Sequence, residues 1–418
     1  MYCGFDFGTS NTTIGITKHG NLQLVQLENS KPSIRSAIFC DTEHKEWVFG
    51  QEGINRYLES ASGRLMMSLK SVLGSALMDD ETLILNEFIS YKKILSYFIR
   101  HVKRQAELVL DNELTHVVMG RPVHFHDNDL QKDIYAQQTL KEIAIESGFK
   151  EIIFQYEPIA AALVYESQIK KEQLALIIDM GGGTSDFSVI RLQPQKNTLH
   201  RQEDILANDG IHIAGTDFDH DLSLATVMPL LGYGSEMQGS SSTIEVPSSY
   251  FHDLTTWHML SQLYSAKIIN HVKGILARAY SKPLLQRLLK VLQQRAGHHI
   301  LYAVEMAKQK LSDVDHTKLS LDFIEAGLEK EITRSTFNEI IMHDVEKIIN
   351  KTNDTLLLAG VSANEISAIF YTGGSTKIPL IHSCINPLFE NAEIVQGDAF
   401  GSVGMGLTIE AQKIFAMR

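Results

Sequence analysis

The chain has 418 residues, 44% of them apolar, and carries a formal charge of −12 at pH 7. That length is enough for two or more packed units, and the acidic balance argues against a general nucleic-acid binder, which would show a basic face. No run of about 18 apolar residues suggests a membrane span, the first residues enter a strand rather than a basic-then-apolar leader, so a cytoplasmic protein is expected, and three dispersed cysteines (Cys3, Cys40, Cys384) fit reduced thiols.

Short apolar runs open the chain and predict strands at Tyr2–Phe7, Thr13–Thr17, Leu22–Leu27, Ala37–Asp41 and Glu46–Phe49. Phe88, Tyr91, Ile94, Leu95, Phe98 and Val102 recur at helical spacing and predict a helix over Ile84–Ala106. Thr115–Met119 reads as a strand stopped by Gly120-Arg-Pro122, Leu130–Gly148 as a helix closed by its glycine, and Ile152–Tyr156 as a strand. Pro158 suits the first turn of a helix, where its missing N–H costs nothing, and the alanines at 160–162 let that helix approach its neighbours closely. Leu174–Asp179 and Phe187–Leu192 predict a hairpin around a glycine turn. Leu231–Ser249, rich in Gly, Ser and polar residues, reads as a surface insertion. Helical runs follow over Tyr250–Ala296, broken around Ala279–Pro283, and over His298–Ser312. Strands and helices alternating to the C-terminal end suggest an α/β architecture.

Asp6-Phe-Gly-Thr-Ser-Asn11 has an echo in Asp179-Met-Gly-Gly-Gly-Thr-Ser-Asp186. Each follows an apolar run, and each sets an aspartate at a strand end before glycines and hydroxyls. Glycine lets backbone N–H groups approach a phosphate, and a carboxylate is a hard ligand for magnesium, often through water. Two such turns a domain's length apart suggest a duplicated nucleotide-binding core. The 17 histidines include His124-x-His126 and His298-His299, yet no His-Glu-x-x-His segment or cysteine pair makes a zinc site, so surface or core roles are expected. Trp257, Tyr250, Phe251 and Tyr264 are read as packing residues.

Four further segments occur in order: Ser68-Leu-Lys70-Ser-Val-Leu-Gly74, Glu157-Pro-Ile-Ala-Ala-Ala162, Glu305-Met-Ala-Lys308-Gln-Lys-Leu-Ser312 and Thr372-Gly-Gly-Ser-Thr-Lys-Ile-Pro379. With the two Asp–Gly turns, they resemble the ATPase domain of the 70-kDa heat-shock chaperones, over nearly the whole chain. The resemblance implies an α/β, actin-like (ribonuclease-H-like) ATPase fold, with ATP or ADP and Mg²⁺ in a cleft between two lobes. Lobe I would be residues 1–170 with 394–418, and lobe II residues 171–393. It implies that Gly8, Thr9, Ser10 and Asn11 form one phosphate loop and Gly181, Gly182, Gly183 and Thr184 the other. Asp6, Glu157 and Asp179 would organise the metal through water, with Lys70 near the γ-phosphate and Thr184 among the catalytic groups. Glu305, Lys308 and Ser312 would face ribose and adenine, Gly373, Gly374, Ser375 and Lys377 would close the base pocket, Gly215 would lie on the phosphate side, and Asp398 would reach the adenosine.

The departures from that family also matter. Only a short helical stretch follows Gly406, so a peptide-gripping domain is not expected. The family places an arginine some eight residues after the proline corresponding to Pro122; here Leu130 or Gln137 stands there, and neither donates like a guanidinium. Gln309 and Lys377 replace arginines of the base pocket. The expected function is therefore a slow, chaperone-like Mg-dependent ATPase that acts on an unidentified protein partner by closing its lobes. A sugar-type kinase with Asp186 as base, a nucleotide-switched filament or scaffold, and a nucleotide-binding relic without turnover are the alternatives.

Overall fold

The computed structural model describes residues 1–59, 62–126, 129–194, 201–395 and 401–416. In chain order its elements begin with β1 (Tyr2–Phe7), β2 (Asn11–Lys18), β3 (Asn21–Leu24), β4 (Ser33–Arg35), β5 (Ala37–Asp41), β6 (Glu46–Phe49), α1 (Gly50–Leu58) and β7 (Gly63–Met67). Next come β8 (Glu81–Ile84), β9 (Glu87–Ser90), α2 (Tyr91–Leu110), β10 (His116–Arg121), α3 (Leu130–Glu146), β11 (Glu151–Tyr156) and α4 (Glu157–Glu166). The middle holds β12 (Gln173–Met180), β13 (Ser185–Leu192), β14 (Ile205–Ile211), α5 (Gly215–Thr226), β15 (Glu236–Gln238), β16 (Thr243–Glu245), α6 (Ser249–Leu254), α7 (Leu260–Leu263), α8 (Ala266–Arg278), α9 (Lys282–Gln293) and α10 (Gly297–Asp313). The last are β17 (His316–Ser320), β18 (Glu329–Thr333), α11 (Arg334–Ala359), β19 (Ile366–Thr372), α12 (Pro379–Ile385), β20 (Glu393–Val395) and α13 (Ser402–Phe415).

The chain divides into two compact units: residues 1–212, 350–376 and 385–418 form the first, and residues 213–349 and 377–384 the second. The first contains two sheets built on one plan. One runs β11-β10-β1-β2-β3 and the other β20-β19-β12-β13-β14. In both, the first three strands are parallel and the next two pairings are antiparallel. The glycine turns occupy equivalent places, between β1 and β2 and between β12 and β13. The echo in the sequence is thus an echo in the fold.

Helices α4 and α13 join the sheets into one core. Ala160, Ala162, Leu163, Leu407 and Ala411 are buried in a cluster with Val118 of β10, Ala175 and Ile177 of β12, and Ala368 and Phe370 of β19. Small residues set the spacing: a β-carbon at Gly406 would lie 1.9 Å from the Ala160 carbonyl oxygen, and one at Gly4 2.2 Å from the Thr408 nitrogen. A second cluster, around Phe5, Phe7, Phe98 and Phe149, packs α2 and α3 against the first sheet.

The expected helix over Ile84–Ala106 starts later than its periodicity suggests. Leu85 and Asn86 both have positive φ, 52° and 68°, and turn β8 back into β9 as a hairpin. Phe88, expected on the helix's apolar face, lies on β9 and is 70% exposed. Helix α2 begins at Tyr91 behind its N-cap Ser90, whose hydroxyl accepts from Lys93 N–H.

In the second unit, α10 packs on α5 and on β17, and α8 on α9. The break expected around Ala279–Pro283 separates α8 from α9, with Pro283 in the first turn of α9. Residues 231–249 carry the β15–β16 hairpin; Met237 and Val246 are buried, whereas β16 is exposed along its length. Tyr250 and Phe251 are buried, and His298 packs on Trp257 at 5.1 Å between ring centroids, as their reading as packing residues requires. Burial, with His299 beside it, pushes the His298 imidazole down to about 4.

Candidate functional site

Asp6 and Asp179 each come one residue before the end of a strand, β1 and β12, that is central to its sheet. Both carboxylates feel Lys70 and Glu157, and Asp6 also feels Asp179. Lys70 is held in a short turn that starts from Ser68, a residue with φ 57°. Its ammonium donates to Glu157 Oε1 at 2.8 Å, with only 10% and 12% of the two side chains exposed. Glu157 is positioned by the start of α4, where Pro158 fixes the first turn. A β-carbon at Gly120 would lie 3.2 Å from Glu157 Cγ, so the bare strand there makes room for the carboxylate.

The two glycine turns meet: a β-carbon at Gly182 would lie 2.5 Å from Ser10 Oγ. The first turn, Gly8–Asn11, is braced by Ser36, whose hydroxyl donates to the Gly8 carbonyl at 2.7 Å and whose N–H donates to the Ser10 carbonyl at 2.9 Å. In the second turn the Gly181 N–H donates to the Thr184 carbonyl at 3.0 Å, and Ser375 Oγ donates to the Gly181 carbonyl at 2.6 Å. Thr184 Oγ1 donates to Asp186 Oδ2 at 3.1 Å. Gly183 lies in the same turn, and Thr9 in the first. Gly373 has φ 80°, and a β-carbon there would lie 2.3 Å from the Met180 carbonyl and 2.7 Å from Asp179 Oδ1. Only glycine suits both the torsion and the approach. Gly374 and Ser375 follow in a short helical turn.

The remaining predicted residues belong to the second unit or fall outside the description. Gly215 opens α5, and its carbonyl accepts Lys308 Nζ at 2.7 Å; the same ammonium reaches Asp219 Oδ2 at 2.6 Å. Glu305, one turn earlier on α10, accepts from Gln309 Nε2 at 3.1 Å. Ser312 sits in the last turn of α10, and its carbonyl accepts from Arg334. Lys377 counts with the second unit. Asp398 lies outside the described residues.

Electrostatics set the chemistry. Burial, then Glu157 and Asp179, raise Asp6 from the ordinary 3.8 to about 8, with Lys70 opposing. Burial and then Glu157 raise Asp179 to about 6, against a hydrogen bond from Thr372 and the pull of Lys70. Burial works against the Lys70 charge, but Glu157 and Asp6 outweigh it and hold that pKa above its ordinary value. With all of them ionised, three carboxylates and one ammonium leave two negative charges uncompensated in low dielectric, which is why Asp6 holds its proton up to about pH 8. A divalent cation matches that deficit. Among the described residues no group of three His, Cys, Asp or Glu side chains is placed to hold a metal ion directly.

Two residues, Asp186 and Arg121, have contacts in the structure that the sequence does not show. Asp186, weighed only as a kinase base, pairs in register with Asp179 and takes the Thr184 hydroxyl. Arg121 ends β10 directly before Pro122. Gln137, one of the positions at which the arginine was missed, is an acceptor for its guanidinium.

A doubled mixed sheet with an Asp–Gly turn in each half has the plan of the actin-like ATPase fold class. Within that class, the model of the family described as Hsp70 protein matches residues 2–227 and 268–413, and the chain belongs to that family. The gap in the match brackets the segment with the β15–β16 hairpin. Membership makes this a nucleotide-binding, chaperone-type protein, from a family whose ATPases use ATP, ADP and Mg²⁺ and which binds protein clients. No described helix is long and apolar enough to cross a membrane.

Proposed function

We propose that this chain binds Mg·ATP, hydrolyses it slowly in the cytoplasm, and uses closure of two lobes, residues 1–170 with 394–418 and residues 171–393, to change the surface offered to a protein partner. The observation that carries this reading is the Lys70–Glu157 ion pair set against Asp6 and Asp179. Backbone N–H groups of Gly8, Thr9, Ser10 and Asn11 and of Gly181, Gly182, Gly183 and Thr184 would cradle the phosphates, as glycine-rich turns do. Asp6, Glu157 and Asp179 would hold magnesium through water. The ion would neutralise charge on the phosphates, and Lys70 would stabilise the charge that develops on the transferring group. Gly215, Glu305, Lys308 and Ser312, with Gly373, Gly374, Ser375, Lys377 and Asp398, would receive the adenosine.

A ligand that binds only the folded state raises its stability by mass action. Millimolar ATP or ADP is therefore expected to raise the melting temperature when magnesium is present and to do little when EDTA is added. A melting curve indifferent to nucleotide in both conditions would sink the reading.

A further inference from the structure

Arg121 ends β10 and leads into Pro122. Its guanidinium donates to the carbonyls of Pro122 at 2.9 Å and Val123 at 3.0 Å, to both carboxylate oxygens of Asp133 at 3.2 and 3.0 Å, and to Gln137. The rings of Phe125 and Tyr156 each lie 5.3 Å from its central carbon. Asp133 also accepts the Phe125 N–H at 2.6 Å. One planar cation thus organises the loop after β10, the first turn of α3 and the end of β11.

That loop borders Glu157 on one side and reaches the end of the Lys70 turn on the other. Tyr156 pairs with Arg121 in register and immediately precedes Glu157. Pro122 and Val123, whose carbonyls Arg121 grips, line a small cavity together with Glu157 and Asp179. On the other side, His126 Nε2 lies 2.8 Å from the Leu73 carbonyl, at the end of the turn that carries Lys70. Gly74, at φ 81°, leaves the space for that contact: a β-carbon there would lie 2.7 Å from His126 Nε2.

We infer that Arg121 is a positioning residue: by fixing the loop over residues 121–126 it sets Lys70 against Glu157 for ATP hydrolysis. The inference rests on the function proposed above. Lysine does not replace it, because an ammonium has neither the planar fork for two carbonyls and a carboxylate nor a face to lay on two rings. A cavity of about 300 Å³, lined by Gln137, Tyr156 and Arg201 among others, borders Arg121 and gives a small guanidinium access to its place.

The test uses the full chain with Arg121→Ala and Arg121→Lys, and measures single-turnover hydrolysis, ATP affinity and melting temperature. Both variants are expected to hydrolyse at least about tenfold more slowly, since small misplacements of catalytic groups are costly, while affinity stays within about threefold. Millimolar methylguanidinium is expected to restore much of the Arg121→Ala rate, and methylammonium none of it, a difference that a merely structural role would not produce. If Arg121→Ala does not fold, Asp133→Asn, which keeps the shape but removes the charge holding the guanidinium, is expected to show the same slow rate with intact binding. Variants that turn over like a competent wild type overturn this inference alone. A wild type that neither binds nor hydrolyses ATP overturns the proposed function and this inference with it.

Discussion

An ammonium 2.8 Å from one carboxylate and within the field of two more is held by charges that a bound triphosphate would partly replace. Removing it should therefore leave binding to the backbone turns and the metal, and take away stabilisation that grows as charge develops on the transferring group. Lys70→Ala is expected to cut the single-turnover rate by about a hundredfold or more, with ATP affinity changed far less. Rapid-quench hydrolysis beside calorimetric titration checks both, and equal rates in variant and wild type would remove Lys70 from the mechanism. Gly373 offers a stability test at the same scale. With φ at 80° and Asp179 Oδ1 within 2.7 Å of any β-carbon, Gly373→Ala is expected to cost more than about 1 kcal/mol in urea unfolding. The aspartates and glycines were legible as candidates because the same strand, turn and hydroxyls occur twice, whereas either turn alone reads more often as a plain hairpin. Lys70 and Glu157 were legible only through family resemblance, since nothing local marks a partner 87 positions away. Arg121 was not legible at all. Its partners at 122, 123, 125, 133, 137 and 156 become a set only when β10, β11 and α3 are folded together.

Elements were read well where one face decided them and poorly where a turn did. The strands Ala37–Asp41 and Glu46–Phe49 fall at the predicted residues. At Ile84–Ser90 the spacing of apolar residues suited a helix, but two adjacent residues at positive φ made a hairpin and left Phe88 in solvent. Leu85 carries no local mark of such a torsion, unlike Asn86. The contact between α4 and α13 was half legible, through the alanines at 160–162. Its counterpart is Gly406, whose missing β-carbon lets that helix rest on a backbone carbonyl at a spacing no side chain permits. Gly406→Ala forces the two helices apart, with Val118, Ala368 and Leu407 in the same cluster. Overpacking of this kind costs about 1–3 kcal/mol, although alanine recovers some helix propensity. A net fall in the urea midpoint is expected, and an unchanged midpoint would mean that the helices separate freely.

Across the whole molecule, the duplicated sheet plan was legible from one short echo, because each half begins with the same strand, turn and strand. The division into contact units had no such marker, since the chain leaves the first unit at His212 and re-enters it within α11. The clustered carboxylates of that first unit make global stability depend on pH. Asp6, raised from 3.8 to about 8, binds a proton in the folded state over a range in which the unfolded chain has lost it. Its contribution is then fully present below pH 4 and is lost as pH rises through about 8. Asp179, raised to about 6, acts in the same direction over a narrower window. His298 acts oppositely: its imidazole, lowered from 6.5 to about 4, gives stability above pH 6.5 that is lost as pH falls toward 4. Comparison of wild type with Asp6→Asn cancels the histidine. In EDTA and without nucleotide, urea unfolding between pH 5 and pH 8 is expected to show wild type losing stability relative to Asp6→Asn as pH rises. Saturating magnesium and ATP should shrink that difference, because a cation bound among these carboxylates favours their ionised forms over protons. Parallel pH profiles for the two proteins in EDTA would mean that Asp6 titrates as an ordinary carboxyl and that the pocket already balances its own charge.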